Sequence, residues 1–337
     1  MAKILFFAHD PGGANAINPL IPLLKQRGYD VIVRGDGSAL NILSDVEQFT
    51  GDTDALIKEI RPDFVITGTS AADMTEKNLR KSARKAGIKC MAILDAWVNY
   101  NRFTKYSCNE LKENGRYNET EFLPDYFIVM DEFAKQEAVK EGIPSEIIYP
   151  IGNPHFKNIR DSFDNLNTEE LRKNLLNGKE KLVVWASECL IEDYGTGMEL
   201  ESLKDVIELM PENVQLVVKP HPREKEDKFD GFGGLKIVRD ITSREAIKSA
   251  DIVMSMTSMV LIESIIGGKP CISYQKGADN KDKFILTKIG ALPFINDKIK
   301  LREEFNTILR DKKGNSSFTI NYSAAENIIK FMEDKIC

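Results

Sequence analysis

The feature that most constrains the fold of this chain is a regular alternation of short apolar runs with amphipathic segments. The apolar run Lys3–Ala8 leads into a glycine-containing turn and an amphipathic segment that ends at Gln26. Gly28 closes this segment, and a second apolar run follows at Asp30–Arg34. A strand, a helix and a strand in this order form a β-α-β unit, whose crossover helix makes the two strands parallel.

The alternation continues along the chain and predicts further strands at Phe64–Thr67, Cys90–Leu94, Tyr126–Met130, from Ile148, and at Lys181–Trp185, Val214–Lys219, Leu235–Val238, Asp251–Met254 and Pro270–Tyr274. The polar stretch Lys157–Lys179 interrupts it, so we place a linker there and divide the chain into domains at residues 1–157 and 158–337. The sequence therefore predicts an α/β protein of two Rossmann-like, doubly wound domains facing a central cleft, with a last helix over Tyr322–Lys335.

Charge and composition exclude several classes of protein. The net charge of −6 argues against nucleic-acid binding, which needs a basic footprint. The five cysteines show no C-x-x-C spacing and are expected to be reduced. Neither a secretory signal pattern nor an apolar run of transmembrane length is present. We expect a cytoplasmic protein, for which a peripheral membrane contact stays open.

Two segments of the second half carry groups suited to phosphate. An apolar run ends in a turn with Lys219, His221 and Arg223, and Thr257 and Ser258 supply hydroxyls at the start of a predicted helix. Both segments follow predicted strands, and ligands bind at the carboxyl ends of such strands. Cations, hydroxyls and free backbone N–H groups at a helix start all bind phosphate. We interpret the two segments as a nucleotide phosphate pocket, although the first could be a solvated basic loop.

Three more residues of this half are candidates. Glu263, one turn into the same helix, could accept hydrogen bonds from both ribose hydroxyls, or could serve only to cap the helix. Ser187 follows the first strand of the half and could donate to a phosphate. Glu188 would repel a phosphate, so we expect it to face a sugar or solvent.

The turn after the first strand is the main candidate of the first half. Gly12 and Gly13 permit close approach of the backbone to a ligand, and His9 and Asp10 precede them at the strand end. The turn is not a G-x-G-x-x-G fingerprint, so no nicotinamide site is predicted. The alternative is an ordinary tight connection between strand and helix.

Asp95 ends another apolar run, and the aromatic and amide side chains after it, beginning with Trp97, suit a sugar ring. We predict Asp95 as a general base, with Asp10 as its rival. A helix cap or a salt bridge is the alternative for Asp95. Asp131 reads as an N-cap, and His155, near the predicted linker, could be functional or structural.

No metal or cofactor is predicted. The three histidines are not paired at ligand spacing, and no D-x-D or H-x-x-x-H pattern occurs. The Walker A pattern and the G-x-S-x-G nucleophile elbow are also absent from the sequence.

Several short motifs resemble those of the GT-B superfamily of nucleotide-sugar glycosyltransferases and their epimerase relatives. The segments are Ile151–Pro154, Ala250–Val253, Glu263–Ser264 and Gly267–Ile272. Lys219–Pro222 resembles the His-Pro motif of bacterial sialyl-, polysialyl- and polyol-phosphate transferases. The resemblance implies that Glu263 holds a ribose and that His221 contacts a donor phosphate.

It also implies an inverting, metal-independent glycosyltransferase of surface polysaccharide or glycoconjugate biosynthesis. The donor would be a UDP- or CMP-sugar and the acceptor a saccharide or a lipid-linked molecule. His221 would stabilise the leaving phosphate, while Asp95 or Asp10 would deprotonate the acceptor hydroxyl.

A UDP-sugar 2-epimerase or hydrolase of the same fold is the alternative. Non-hydrolysing UDP-GlcNAc 2-epimerases carry Gly-Asp-Thr where this chain has Gly68-Thr69-Ser70, and their His-Arg-Arg-Glu-Asn segment is not matched at Ser187–Cys189. Asp95 stands roughly where they place a catalytic glutamate. A non-catalytic nucleotide-sugar-binding homologue is a third hypothesis.

Overall fold

The computed structural model describes residues 2–71, 73–98, 100, 102–105, 119–278, 281–311 and 316–336. Within them the chain forms two compact units. The first comprises residues 1–158 and 321–337, and the second comprises residues 159–320.

The first unit contains a seven-stranded sheet of order β3-β2-β1-β4-β5-β6-β7, in which all neighbouring strands pair in parallel. Its strands are β1 (Lys3–Ala8), β2 (Asp30–Gly35), β3 (Glu47–Gln48), β4 (Phe64–Thr67), β5 (Lys89–Ile93), β6 (Tyr126–Val129) and β7 (Ile148–Pro150). Its helices are α1 (Pro11–Ile17), α2 (Leu20–Gln26), α3 (Thr53–Ile60), α4 (Thr75–Lys85), α5 (Glu132–Lys140) and α6 (His155–Asn165), the last of which continues into the second unit.

Both faces of this sheet are buried, which explains the continuous apolar run of β1. Ile4, Phe6 and Ala8 pack with α1 and α2 on one face, while Leu5 and Phe7 pack with α3 and α4 on the other. Alternate residues of a strand point to opposite faces, so a strand covered on both sides must be apolar throughout.

The second unit contains a five-stranded parallel sheet of order β10-β9-β8-β11-β12. Its strands are β8 (Lys181–Ala186), β9 (Val214–Lys219), β10 (Lys236–Ile237), β11 (Ile252–Ser255) and β12 (Cys271–Ser273). Its helices are α7 (Glu169–Leu176), α8 (Leu190–Tyr194), α9 (Met198–Leu209), α10 (Ser243–Ser249), α11 (Val260–Ile266), α12 (Ile285–Lys288) and α13 (Lys298–Asp311).

The last helix, α14 (Ala324–Ile336), belongs to the first unit, whereas our division of the sequence put it in the second domain. Ile328, Ile329 and Met332 of this helix are buried in the core that also contains β1 and α2. An amphipathic pattern shows that a helix has an apolar face but does not show which core receives it.

The prediction of an α/β protein with two doubly wound parallel sheets is confirmed. Element ends differ by one or two residues: the helix predicted over Met259–Ile266 begins at Val260, and the last one, predicted from Tyr322, begins at Ala324. Among the described residues, no helix combines the length and the apolar character needed to cross a membrane.

Candidate functional site

The turn after β1 joins a histidine to a carboxylate. His9 Nδ1 lies 2.8 Å from Asp10 Oδ1, and the Ser70 hydroxyl, which follows β4, donates to Asp10 Oδ2 at 2.7 Å. Strands β1 and β4 are neighbours in the sheet, so their carboxyl-end turns meet. Asp10 therefore orients the His9 imidazole and is itself held by Ser70.

These contacts shift the pKa values of His9 and Asp10. Burial lowers the pKa of His9, but the hydrogen bond to Asp10 and the charges of Asp73, Asp10 and Asp36 outweigh it, so the pKa is raised. Burial raises the pKa of Asp10, but the hydrogen bonds from His9 and Ser70 outweigh it, so the pKa is lowered. A charged Asp10 can only accept, which means that His9 Nδ1 carries a proton and Nε2 is the basic nitrogen of the neutral ring.

A buried glutamate that the sequence analysis missed holds the two turns together. Glu76, in the first turn of α4, accepts the backbone N–H groups of His9 at 3.1 Å and Ser70 at 2.6 Å. The Arg80 guanidinium lies 4.0 Å away, and burial raises the pKa of Glu76 despite that charge. Acidic residues in a first helical turn are usually solvated, so no pattern in the sequence singled Glu76 out.

The glycines of the turn allow close approach of Asp95 at Gly12 and of the Gly68 backbone at Gly13. A Cβ atom at Gly12 would lie 1.8 Å from Asp95 Oδ2, and one at Gly13 would lie 3.0 Å from the Cα of Gly68. Asp95 follows β5, and Arg102 Nη1 lies 3.2 Å from its Oδ1. The fold thus brings His9, Asp10, Gly12 and Asp95 together at the carboxyl ends of the strands of the first sheet.

Two other candidates of the first unit have different surroundings. Trp97 is only 5% exposed, its indole N–H donates to Asp131 Oδ2 at 2.7 Å, and its ring stacks on Phe156. Trp97 was expected to face a sugar ring, but its side chain is buried within the first unit. His155 begins α6, and its backbone N–H donates to Asn153 Oδ1 at 2.9 Å.

In the second unit, the turn after β9 presents His221 at the surface. The backbone N–H of Arg223 donates to His221 Nδ1 at 3.2 Å, and the Cys189 sulfur lies 3.0 Å from the same nitrogen. A backbone N–H can only donate, so Nδ1 of the neutral ring is the acceptor and Nε2 carries the proton. His221 is therefore a hydrogen-bond donor through Nε2.

The backbone of this turn is held by a second missed glutamate. Glu224 is 5% exposed and accepts the His221 backbone N–H at 2.6 Å and the Ser187 hydroxyl at 2.7 Å. The Lys228 ammonium bonds to Glu224 as well, and also to Glu199. Ser187, predicted as a phosphate donor, is thus engaged in supporting the turn.

The predicted anion site at the start of α11 holds a carboxylate of the chain itself. Glu188 Oε1 accepts the backbone N–H groups of Met256 at 3.0 Å and Thr257 at 2.7 Å. The Ser255 hydroxyl lies 2.8 Å from Oε1 and shares its proton with the Ala186 carbonyl oxygen at 2.6 Å. The Thr257 hydroxyl donates to Oε2 at 2.7 Å. Glu188 was expected to face a sugar or solvent, but these contacts direct it back into the fold.

Lys219, Ser258 and Glu263 are the remaining candidates of the second unit. Lys219 is 9% exposed, and burial, followed by the charge of Arg239, lowers the pKa of its ammonium. Ser258 Oγ accepts the Val260 backbone N–H at 3.2 Å. Glu263 Oε2 lies 3.3 Å from Arg244 Nε, and burial raises the pKa of Glu263 in spite of that cation.

A cavity of about 460 Å³ borders the Glu188 contacts. Its walls include Thr257, Leu190, Met198 and Met256, with Lys276 and Lys283 at the polar side. Apolar walls with a few polar groups are typical of small-molecule sites.

Within the part of the chain that the structure describes, one group of carboxylates has metal-ligand spacing. Glu192, Glu199 and Glu224 have oxygens within 4.8 Å of one another, and the Lys228 ammonium contacts all three. A lysine thus supplies the positive charge that these carboxylates require.

Comparison with known proteins identifies the fold. No family model and no curated relative matches the sequence. Solved structures match over nearly the whole chain: UDP-GlcNAc 2-epimerase from Methanocaldococcus jannaschii has a TM-score of 0.71 and 16% identity, covering 98% of this chain and 99% of that one. The Neisseria meningitidis UDP-GlcNAc 2-epimerase bound to UDP-GlcNAc has a TM-score of 0.64 and 13% identity, covering 98% and 100%. Anabaena Alr3699/HepE in complex with UDP and glucose has a TM-score of 0.61 and 14% identity, covering 99% and 100%.

This chain therefore has the GT-B-type fold, with two Rossmann-like domains, as the sequence motifs suggested.

Proposed function

We propose that this protein is an inverting, metal-independent glycosyltransferase that uses a nucleotide-activated sugar. The second unit binds the nucleotide, and the first unit supplies the general base. The acceptor is a saccharide or a lipid-linked molecule, and the setting is surface polysaccharide or glycoconjugate assembly.

The observation that carries this proposal is the fixed donor at His221. Its ring is held through Nδ1 by Arg223 and Cys189 and its backbone by Glu224, while Nε2–H remains directed away from these contacts. The turn lies at the carboxyl end of a parallel strand, where ligands bind in doubly wound sheets. A preorganised donor at this position stabilises the charge that develops on a departing phosphate oxygen.

In the proposed step, the acceptor oxygen forms a bond to the anomeric carbon as the bond from that carbon to the phosphate oxygen breaks. The electron pair leaves with the phosphate, and the acceptor proton passes to the base. The geometry favours His9 as that base, with Asp10 orienting its ring, over Asp10 alone. Asp95, already paired with Arg102, is the rival.

The test is a panel of UDP-, CMP- and GDP-sugars with saccharide acceptors, assayed in excess EDTA. We expect one donor class to bind by calorimetry and to support transfer without a metal. His221→Ala is expected to lose about 1.5–3 kcal/mol of nucleotide binding, roughly 10- to 150-fold in Kd, while folding is retained. The exposed-lysine variant Lys300→Ala should bind like the wild type.

Binding without turnover, with any acceptor, would favour a non-catalytic binding protein. Complete loss of activity in EDTA, restored by Mg²⁺ or Mn²⁺, would contradict the metal-independent mechanism. Nucleotide affinity unchanged in His221→Ala would remove this residue from the site.

A UDP-sugar 2-epimerase is the second candidate, because two of the structures with this fold are named as UDP-GlcNAc 2-epimerases. In the motif comparison, Thr69 stands where those enzymes carry the aspartate of Gly-Asp-Thr, and the next residue, Ser70, supports Asp10. NMR would detect conversion of UDP-GlcNAc to its 2-epimer without any acceptor. Such conversion would support the epimerase over the glycosyltransferase.

A further inference from the structure

The loop after β2 packs against the imidazole of His9. A short helical turn follows this strand and begins at Gly37. On one side of Gly37, the Asp36 N–H donates to the Ala8 carbonyl at 3.2 Å. On the other side, the Ala39 N–H donates to the His9 carbonyl at 3.0 Å. These two hydrogen bonds fix Gly37 beside the turn that carries His9.

A side chain at Gly37 would collide with the His9 ring. A Cβ atom there would lie 2.7 Å from Nε2, 2.9 Å from Cε1 and 3.1 Å from Cδ2 of the imidazole. These three distances are nearly equal, which places the added atom over the face of the ring and not in its plane. The bare Cα of Gly37 therefore packs on one face of the imidazole, and the lone pair of Nε2, which lies in the ring plane, is clear of this contact.

The backbone conformation of Gly37 does not by itself require glycine. Its φ is +56°, but Asp45 and Arg61 adopt φ values of +53° and +52° with their side chains in place. Side chains are uncommon in this region of φ, yet this chain carries them there. The contact with the His9 ring is therefore the feature that excludes a side chain at residue 37.

We propose that Gly37 is a positioning residue for the His9 base, because the missing side chain lets the imidazole bond to Asp10 through Nδ1 while Nε2 meets the acceptor hydroxyl. This inference rests on the function proposed above. With a Cβ at residue 37 the ring must turn about its side-chain bonds, and Nδ1 leaves its position 2.8 Å from Asp10 Oδ1. Nε2 moves with the ring, and a misplacement of about 1 Å can cost about 10²-fold in rate.

Carboxylates face His9 from every element packed around it. Asp10 follows β1, Asp36 follows β2, Asp73 precedes α4, and Glu76 of α4 accepts the His9 backbone N–H. Burial lowers the pKa of His9, whereas the hydrogen bond to Asp10 and the charges of Asp73, Asp10 and Asp36 raise it. Of these contributions, the hydrogen bond depends most steeply on the angle of the ring. A ring turned away from Asp10 should therefore have a lower pKa.

The experiment measures the pKa of His9 by NMR titration in the full-length wild type and in Gly37→Ala. The chain has three histidines, and the signal that is missing from His9→Gln assigns His9. We expect Gly37→Ala to lower this pKa, to shift the rise of kcat/KM with pH in the same direction, and to reduce kcat about 10²-fold. Gly87→Ala is the matched control, because Gly87 also has a positive φ, +73°, but has no atom within 4 Å of an added Cβ.

In the Asp10→Asn background, Gly37→Ala should change the pKa of His9 little, because the hydrogen bond that it disrupts is already lost. An equal decrease in both backgrounds would overturn the inference, and so would a His9 pKa and a pH profile that Gly37→Ala leaves unchanged. If Gly37→Ala does not fold, Gly37→Asn introduces the same Cβ with a residue that tolerates positive φ better, and Gly87→Asn is its control.

The NMR titration needs no substrate. A wild type that transfers sugar from none of the donors would contradict the proposed function whatever the titration shows, so the two failures are distinguishable.

Discussion

At the scale of single residues, two histidines receive opposite roles from their neighbours. His9 Nδ1 faces the acceptor Asp10, which leaves Nε2 as the basic nitrogen of the neutral ring. His221 Nδ1 accepts from the Arg223 backbone, which leaves Nε2–H as a donor. One side chain type thus offers a basic nitrogen in the first unit and an N–H donor in the second.

His9 gives a pH test of the base. Its raised pKa predicts that kcat/KM increases with pH through a value above 6.5, as the ring loses its proton. Asp10→Asn removes the carboxylate that raises this pKa but leaves the burial that lowers it. The rise of kcat/KM should therefore occur at lower pH in this variant. His9→Gln should lower kcat on the order of 10²- to 10⁴-fold.

The control for this test is Asp95→Asn. Three results together would identify Asp95 as the base. The rise of kcat/KM would stay at the same pH in Asp10→Asn, Asp95→Asn would be inactive, and His9→Gln would turn over almost normally.

The close approach of Gly12 to Asp95 predicts a steric effect. Gly12→Ala puts a Cβ 1.8 Å from Asp95 Oδ2, so the helix start or the carboxylate must move. We expect a loss of about 1–3 kcal/mol in the free energy of unfolding. Urea unfolding of Gly12→Ala, Asp95→Ala and the double variant would measure it.

The double variant should be less destabilised than the sum of the two single variants, because Asp95→Ala removes the clash. Gly197→Ala is the matched control, since no atom lies within 4 Å of its added Cβ. Additive losses in the double variant would contradict the steric explanation.

At the scale of elements, Lys228 connects the pieces that frame the His221 turn. Glu192 belongs to α8, Glu199 to α9, and Glu224 to the loop after β9, and the Lys228 ammonium contacts all three. The shared cation therefore links two helices and a loop that are separate along the chain. The precision of the candidate donor site depends on this buried network.

Lys228→Met tests the network. Loss of the cation leaves the buried carboxylates of Glu199 and Glu224 without a counter-charge, which typically costs about 3–5 kcal/mol. Burial already raises the pKa of Glu199, and Lys228 opposes that shift, so the variant should raise it further. A group with a raised folded-state pKa contributes stability below its unfolded-state pKa and loses it as pH rises through the folded-state value.

The Lys228→Met defect should therefore be largest at neutral pH and smaller near pH 4, as thermal unfolding at several pH values would reveal. The exposed-lysine variant Lys173→Met should show no such pH dependence. A defect of equal size at all pH values would mean that the lysine acts by packing alone.

At the scale of the whole molecule, the second unit is one continuous segment, whereas the first is completed by the C-terminal helix α14. Ile328, Ile329 and Met332 are buried in the core of the first sheet, and Phe331 contacts Tyr149 at 4.4 Å between ring centroids. The first unit thus depends on residues far away in the chain.

Ile329→Ala should destabilise the first unit by about 2–5 kcal/mol and leave the second unit unchanged. Hydrogen exchange followed by mass spectrometry would resolve the two units by peptide. Ile299→Ala is the control, because Ile299 is 73% exposed on α13. Increased exchange in β8–β12 as large as that in β1–β7 would contradict the assignment.

The sequence by itself determined the fold class and the location of the main turns. Both depend on local signals: apolar runs of strand length, glycines at strand ends, and amphipathic segments between them. The His9–Gly13 and Lys219–Arg223 turns each follow a strand of a parallel sheet. Their places at the carboxyl ends of those strands could therefore be predicted before the structure was known.

Only the tertiary structure decided which carboxylates matter and what they do. Glu76 and Glu224 look like ordinary surface acids in the sequence, and Glu188 was expected to face a sugar or solvent, but each accepts hydrogen bonds from at least two donors inside the fold. The partners of Glu188 lie 67 to 69 residues away, and α14 shares a core with β1, a strand more than 300 residues earlier. Such pairings leave no local pattern, because they arise from the order in which strands are brought together, and a chain of alternating elements does not specify that order residue by residue.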